Sequence, residues 1–132
     1  MKYGLSASII CANFKNLEHE IKQIEACGFD TIHFDVMDGS FVPRLGLFPE
    51  IIQVIRSITN ITIDAHMMVN NAENYIEAFS KAGVDYFTIH YEACIHLYRT
   101  IEKIRQSGMK VGVALNPATS VSSLEEVLDS LD

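Results

Sequence analysis

Two rhythms of apolar residues alternate along the chain. Short runs rich in β-branched and apolar side chains, bounded by turn formers, predict five strands: Leu5 to Ile10, Thr31 to Val36, Ile61 to His66, Tyr86 to His90 and Lys110 to Leu115. Between and after them, apolar residues recur every three or four positions, the spacing of one buried helical face. The sets are Leu17, Ile21 and Ile24; Ile51, Ile55 and Ile58; Tyr75, Phe79 and Ala82; Leu97, Ile101 and Ile104; Leu124, Val127 and Leu131. The punctuation agrees: Pro49 sits just inside the second helix, Asn71 is placed to cap the third, and Ser122 with Glu125 has capping-box spacing for the fifth. Gly28, Gly83 and Gly108 follow helices one, three and four, where a left-handed residue is needed.

Strict alternation of strand and helix with short connections implies right-handed βαβ crossovers and a parallel sheet. Two strand entries repeat visibly, Ala26-Cys27-Gly28-Phe29-Asp30 and Lys81-Ala82-Gly83-Val84-Asp85. Five units in 132 residues is about 26 residues per unit, and an eight-unit barrel at that pitch needs roughly 210. The chain therefore reads as about five eighths of a (β/α)₈ barrel. An open doubly wound sheet of five strands is the rival architecture, and the helix pattern alone does not separate the two.

Parallel strands covered on both faces are expected to be apolar throughout, yet the second carries His33 and Asp35 and the third Asp64 and His66. Residues two apart share a face, so His33, Asp35 and Met37 point one way and Ile32, Phe34 and Val36 the other. The third strand repeats this, with Asp64, His66 and Met68 against Ile63, Ala65 and Met67. Burying one such polar group unpaired costs roughly 1 to 3 kcal/mol, so four on neighbouring strands need a partner. A bound cation supplies one. Imidazoles with a carboxylate suit Zn²⁺, Fe²⁺, Mn²⁺ or Co²⁺ better than Mg²⁺ or Ca²⁺, and Asp64 is placed to accept the second ring proton of a ligating histidine. The same four residues also suit a closed polar network with no ligand.

The remaining polar positions are weaker signals. His90, with Glu92 two residues on, extends the polar rim and reads as a rim or core histidine, while His19 and His96 read as surface residues. Ser8, at the end of the first strand, places a hydroxyl where a ligand could meet it. Met37 and Met68 read as core filler that would also be tolerated beside a reacting carbon. The connection from Asp38 to Arg44 is long and carries apolar groups, the composition of a lid or rim.

Composition narrows the class. The 132 residues are 48% hydrophobic and 20% charged, an ordinary globular balance with no low-complexity tract. Acidic residues outnumber basic ones 17 to 10 with no run of Lys or Arg, which excludes a phosphate-tracking nucleic-acid surface. Cys11, Cys27 and Cys94 are odd in number and lack C-x-x-C spacing, so a reducing, cytoplasmic compartment is expected. Met1-Lys2-Tyr3 and the run from Gly4 to Ala12 have the outline of a signal peptide, but Ser6 and Ser8 interrupt it and a strand fits better. No apolar run approaches the roughly 18 residues of a membrane span, so no membrane partner is expected.

Four stretches together carry a specific resemblance: Ser6-Ala7-Ser8-Ile9-Ile10, His33 through Pro43, Asp64-Ala65-His66-Met67-Met68-Val69 and Gly112-Val113-Ala114-Leu115-Asn116-Pro117. In that order they resemble the ribulose-phosphate 3-epimerase family, with the match running through all 132 residues. The resemblance implies a (β/α)₈ TIM barrel of the ribulose-phosphate-binding type, of which residues 1–132 are the N-terminal portion of a single domain. It implies a metal-dependent isomerase that interconverts D-ribulose 5-phosphate and D-xylulose 5-phosphate through an enediolate, in the pentose phosphate pathway. Carried over by position, it makes His33, Asp35 and His66 ligands of one divalent ion, Asp35 a catalytic acid/base, and Ser8, His66, Met37 and Met68 substrate contacts. The family's second catalytic Asp, its fourth ligand and its phosphate-binding loops come from later motifs than Asp132, so the 132-residue chain alone is expected to lack activity. Ala7, Arg44, Gly46 and Phe48 depart from the family's usual residues. The alternatives are an allulose 6-phosphate 3-epimerase, which shares the motifs, or an inactive half-barrel that folds by pairing with another chain. A small sugar phosphate is the expected partner, with a homo-oligomer left open.

Overall fold

The computed structural model describes residues 4–132; Met1, Lys2 and Tyr3, the head of the run weighed as a leader, lie outside the described residues. Five strands, β1 (Ser6–Ser8), β2 (Thr31–Met37), β3 (Thr62–Met68), β4 (Tyr86–His90) and β5 (Lys110–Ala114), form one parallel sheet in the order 1-2-3-4-5. Helices α1 (Leu17–Ala26), α2 (Pro49–Ile58), α3 (Ile76–Ala82) and α4 (Leu97–Gln106) fill the crossovers. Sequential order removes the doubly wound alternative, whose strand order reverses at the first strand. With right-handed crossovers it also puts every helix on one face.

That face holds the core. Along β2 and β3 burial alternates without a break, so Ile32, Phe34, Val36, Ile63, Ala65 and Met67 are buried against Ile21, Ile52, Ile55 and Phe79 of the helices. Each fully buried aliphatic or aromatic side chain contributes about 1.5 to 3 kcal/mol, which pins strand register, because a one-residue slip would turn the whole set toward water. The opposite, concave face carries His33, Asp35, Met37, Asp64, His66 and Met68, each half-buried.

Three aspartates close the lower edge of the sheet in the same way. Asp30 donates its N–H to the Leu5 carbonyl and accepts the Leu5 N–H on Oδ2, both at 2.9 Å. Asp85 does this to Ile63 (3.1 and 2.8 Å) and Asp132 to Val111 (3.1 and 3.0 Å). Arg56 reinforces the second clamp, donating to the carbonyls of Gly83 (2.7 Å) and Ile61 (2.6 Å) and pairing with Asp85. The repeated strand entries thus have a cause: a left-handed glycine, φ 75° at Gly28 and 95° at Gly83, turns the chain, and the Asp that follows clamps the preceding strand.

Several expectations are corrected. The first strand is Ser6–Ser8 rather than Leu5 to Ile10, because Ala12 N–H bonds back to the Ile9 carbonyl and bends the chain away. Asn71 does not cap a helix with its side chain; it takes a left-handed conformation ahead of a 3₁₀ turn at Ala72–Asn74. Tyr75 is consequently exposed, and Ile76 joins Phe79 and Ala82 on the buried side. The fifth helix is replaced by 3₁₀ turns at Val121–Leu124 and Leu128–Ser130, with Ser120 rather than Ser122 as the cap. Leu124 and Val127 remain buried, since a spacing of three suits a 3₁₀ turn as well as it suits an α-helix.

The long connection after β2 is a fixed rim. Asp38 accepts the N–H groups of Ser40, Phe41 and Asn70, all at 2.8 Å, and Gly46 and Leu47 donate to the β2 carbonyls of Met37 and Asp35 at 3.0 Å. A Cβ on Gly46 would lie 2.7 Å from the Met37 nitrogen and 2.9 Å from the Asp35 oxygen, both backbone atoms. Gly46→Ala is therefore expected to cost about 1 to 3 kcal/mol, the price of overpacking a well-packed site. Thermal unfolding checks this, and an unchanged Tm would contradict it.

Candidate metal and active site

Register assembles the site. Pairing of β2 with β3 sets His33 beside Asp64, Asp35 beside His66 and Met37 beside Met68, and pairing of β1 with β2 sets Ser8 beside His33. Imidazole and carboxylate therefore alternate on the concave face like a checkerboard. One ligand atom from each of His33, Asp35 and His66 lies within 4.8 Å of the others, and both histidine-to-Asp35 contacts fall within the roughly 3 to 4 Å of a closed ligand set. Asp35 Oδ1 is the hub, 3.2 Å from His33 Nε2 and 3.3 Å from His66 Nδ1, while its Oδ2 accepts from Ser8 Oγ at 2.9 Å.

The outer nitrogen of each imidazole is engaged elsewhere. His33 Nδ1 lies 3.0 Å from Asp64 Oδ2, and Thr88 Oγ1 donates to Asp64 Oδ1 at 2.7 Å, so that carboxylate is oriented from β4. With its proton on Nδ1, His33 turns a bare Nε2 toward the hub. His66 Nε2 lies 2.9 Å from His90 Nε2, and the rings stand 5.0 Å apart. Nitrogen lone pairs and a carboxylate oxygen facing one another at these distances repel unless a ring proton or a bound cation lies between them. The residues present fit a divalent metal, with two nitrogens and one oxygen as donors and room on the open face for further ligands.

The electrostatics follow from these contacts. The Asp64 hydrogen bond pushes His33 up, against burial, with the charges of Asp35 and Asp64 adding to the rise. Burial lowers His66, helped by His90 and His33 and opposed by Asp35, which favours the neutral imidazole that metals bind. Burial raises Asp64, but its bonds to His33 and Thr88 outweigh it and the carboxyl ends below its ordinary value.

His90 and Glu92 belong to the site more closely than a rim assignment implies. His90 is buried, its ring packs 4.7 Å from Phe41 of the rim, and its Nδ1 lies 3.4 Å from Glu92 Oε2. The other Glu92 oxygen accepts from the Asn116 N–H at 2.7 Å and from the Thr119 hydroxyl. Partial burial pushes Glu92 up, but the bonds from Thr119, the Asn116 amide, its own backbone and His90 prevail and hold it at about 2. That gain in stability is present above pH 4.5, the ordinary glutamate value, and is lost as the pH falls through about 2. Glu92→Gln is accordingly expected to flatten the acid limb of a Tm-against-pH curve, and an unaltered limb would contradict the assignment. The one sequence signal was the spacing of His90 and Glu92 itself. His19 and His96 are exposed and remote in role, as read.

Among the described residues no helix is long and apolar enough to cross a membrane. Known structures share the architecture: KGPDC from Streptococcus mutans superposes with a TM-score of 0.69 at 18% identity, covering 96% of this chain and 58% of that one. A phosphonopyruvate hydrolase gives 0.65 at 18% identity, covering 98% and 51%. These likenesses establish a TIM-barrel-like α/β fold. Sequence relatives are far nearer. The ribulose-phosphate 3-epimerase of Bacillus subtilis is 47% identical over 128 residues, covering 97% of this chain and 59% of that protein. The chloroplastic ribulose-5-phosphate-3-epimerase of Arabidopsis thaliana is 42% identical over 130 residues, covering 97% and 46%. The chain thus spans about half to three fifths of the length of the curated relatives it matches. The model of the ribulose-phosphate 3 epimerase family matches residues 4–132, and the chain belongs to that family.

Proposed function

We propose that this chain is the metal-holding N-terminal part of a single (β/α)₈ barrel that epimerises D-ribulose 5-phosphate and D-xylulose 5-phosphate at C3, in the cytoplasm. The observation that carries the reading is the convergence of His33 Nε2, Asp35 Oδ1 and His66 Nδ1, with Asp64 and His90 occupying the outer nitrogens. The names of the curated relatives support the substrate.

His33, Asp35 and His66 would hold one Zn²⁺, Fe²⁺, Mn²⁺ or Co²⁺ ion. Such an ion, when bound, supplies a Lewis acid for the oxygens of the enediolate. Asp35 takes the proton from C3, the C–H pair moving into the C2–C3 bond as the C2 carbonyl pair moves onto its oxygen, and Ser8 steadies the carboxylate by donating to Oδ2. Return of a proton from the opposite face inverts C3; the carboxylate for that face comes from outside these 132 residues, as the resemblance implies. Met37 and Met68, side by side at the upper ends of β2 and β3, line the reacting carbons with groups that have no proton to give. Ser8 and His66 also touch the substrate.

The test is conversion of D-ribulose 5-phosphate in D₂O by the full-length protein, followed by NMR. Xylulose 5-phosphate carrying deuterium at C3 is the expected product. Turnover of allulose 6-phosphate in preference to the pentulose would replace the substrate assignment, and no exchange at C3 with either sugar would overturn the reading.

A further inference from the structure

We propose that Glu92 and His90 are positioning residues that fix the tautomer of His66, so that Nδ1 of His66, and not Nε2, faces the metal. The inference rests on the metal reading above and goes beyond it, since neither residue belongs to the candidate ligand set of His33, Asp35 and His66.

The number of protons available fixes the tautomers. Two Nε2 atoms 2.9 Å apart, on His66 and His90, need one proton between them, and either ring is able to supply it. The far ends decide which. His90 Nδ1 faces Glu92 Oε2 at 3.4 Å, and a carboxylate held at about 2 is an acceptor only at neutral pH. His90 therefore carries its proton on Nδ1 and offers a bare Nε2. His66 must donate from Nε2, which leaves Nδ1 bare and aimed at the hub, 3.3 Å from Asp35 Oδ1. The opposite assignment would set the bare His90 Nδ1 against the Glu92 carboxylate.

The pair is braced from two sides. The loop after β5 fixes Glu92 through Asn116 and Thr119, and Phe41 of the rim packs against the His90 ring. On the other wing, Thr88 and Asp64 fix His33 so that its Nε2 faces the same point. Both imidazoles are thus held in a chosen tautomer by a carboxylate, directly for His33 and through one intervening ring for His66.

The test reads protons and metal binding rather than turnover. In long-range ¹H–¹⁵N spectra of the metal-free full-length protein at neutral pH, His66 is expected protonated on Nε2 and His90 on Nδ1. Zn²⁺ affinity by competition titration is expected to fall about 10- to 100-fold in His90→Phe, which keeps the packing against Phe41 but removes the acceptor. His90→Gln, whose amide oxygen accepts from His66 Nε2, is expected to recover most of the loss, and circular dichroism confirms that each variant is folded. Wild-type Zn²⁺ affinity in folded His90→Phe would overturn the proposal, as would a proton on His66 Nδ1 in the zinc-loaded protein. Failure of the wild-type protein to bind Zn²⁺ would overturn the metal reading instead. The metal-free spectrum would then decide the tautomer alone, with a proton on His66 Nδ1 refuting it.

Discussion

Asp35→Asn is expected to lower epimerisation by the full-length protein roughly 10²- to 10⁴-fold through loss of the general base alone, with loss of metal adding to this. The substitution is nearly isosteric, and the geometry explains why it should leave the fold intact. An Asn oxygen still accepts from Ser8, which donates to Asp35 Oδ2 at 2.9 Å. Its NH₂ group then points at His33 Nε2 and His66 Nδ1, 3.2 and 3.3 Å from the present Oδ1. Those lone pairs become hydrogen-bonded to an amide instead of converging on a cation. The variant is therefore expected to keep or raise its Tm while its bound-metal content collapses. Activity above about a tenth of wild type, with metal content measured alongside, would contradict both roles assigned to Asp35.

Stripping the metal with a chelator is expected to lower activity at least about 10²-fold, because Lewis-acid stabilisation is worth several kcal/mol at about 1.4 kcal/mol per decade of rate. The donor set predicts which ions restore it. Two imidazole nitrogens and one carboxylate oxygen favour Zn²⁺, Co²⁺, Mn²⁺ or Fe²⁺, whereas Mg²⁺ and Ca²⁺ favour all-oxygen shells and should not reactivate. Three protein donors within 4.8 Å on an open face also leave coordination positions for substrate oxygens. Full activity after exhaustive chelation, with metal absence verified by elemental analysis, would refute this account.

Much of this site was legible in the sequence because a strand has period two. His33 and Asp35, and Asp64 and His66, announce a polar face by parity alone, and sheet order follows from unbroken strand–helix alternation. What parity does not convey is stagger between strands. That His66 meets His90, or that Thr88 orients Asp64, depends on how β4 is offset against β3, so the reading of His90 and Glu92 as a rim or core pair does not reveal the contact with His66. The region after β5 was misread for a different reason. Leu124 and Val127 satisfy both α and 3₁₀ spacing, and the choice is made by Ser120 capping the turn and by Asp132 anchoring its end to Val111. Asp38 shows the same limit: its three N–H donors come from two separate loops, a convergence that length and composition do not reveal.

The aspartate clamps fall at alternate joints of the sheet. Asp30 staples β2 back onto the residue before β1, and Asp85 staples β4 onto β3, so these two joints are held by carboxylates at the lower edge. The joint between β2 and β3 has no such staple; there His33 reaches Asp64 and Asp35 reaches His66 across the seam. The candidate metal site thus straddles the β2–β3 seam, which a continuous ladder of seven residue pairs also joins. A one-residue slip at that seam would therefore part the candidate ligands while leaving both stapled joints intact.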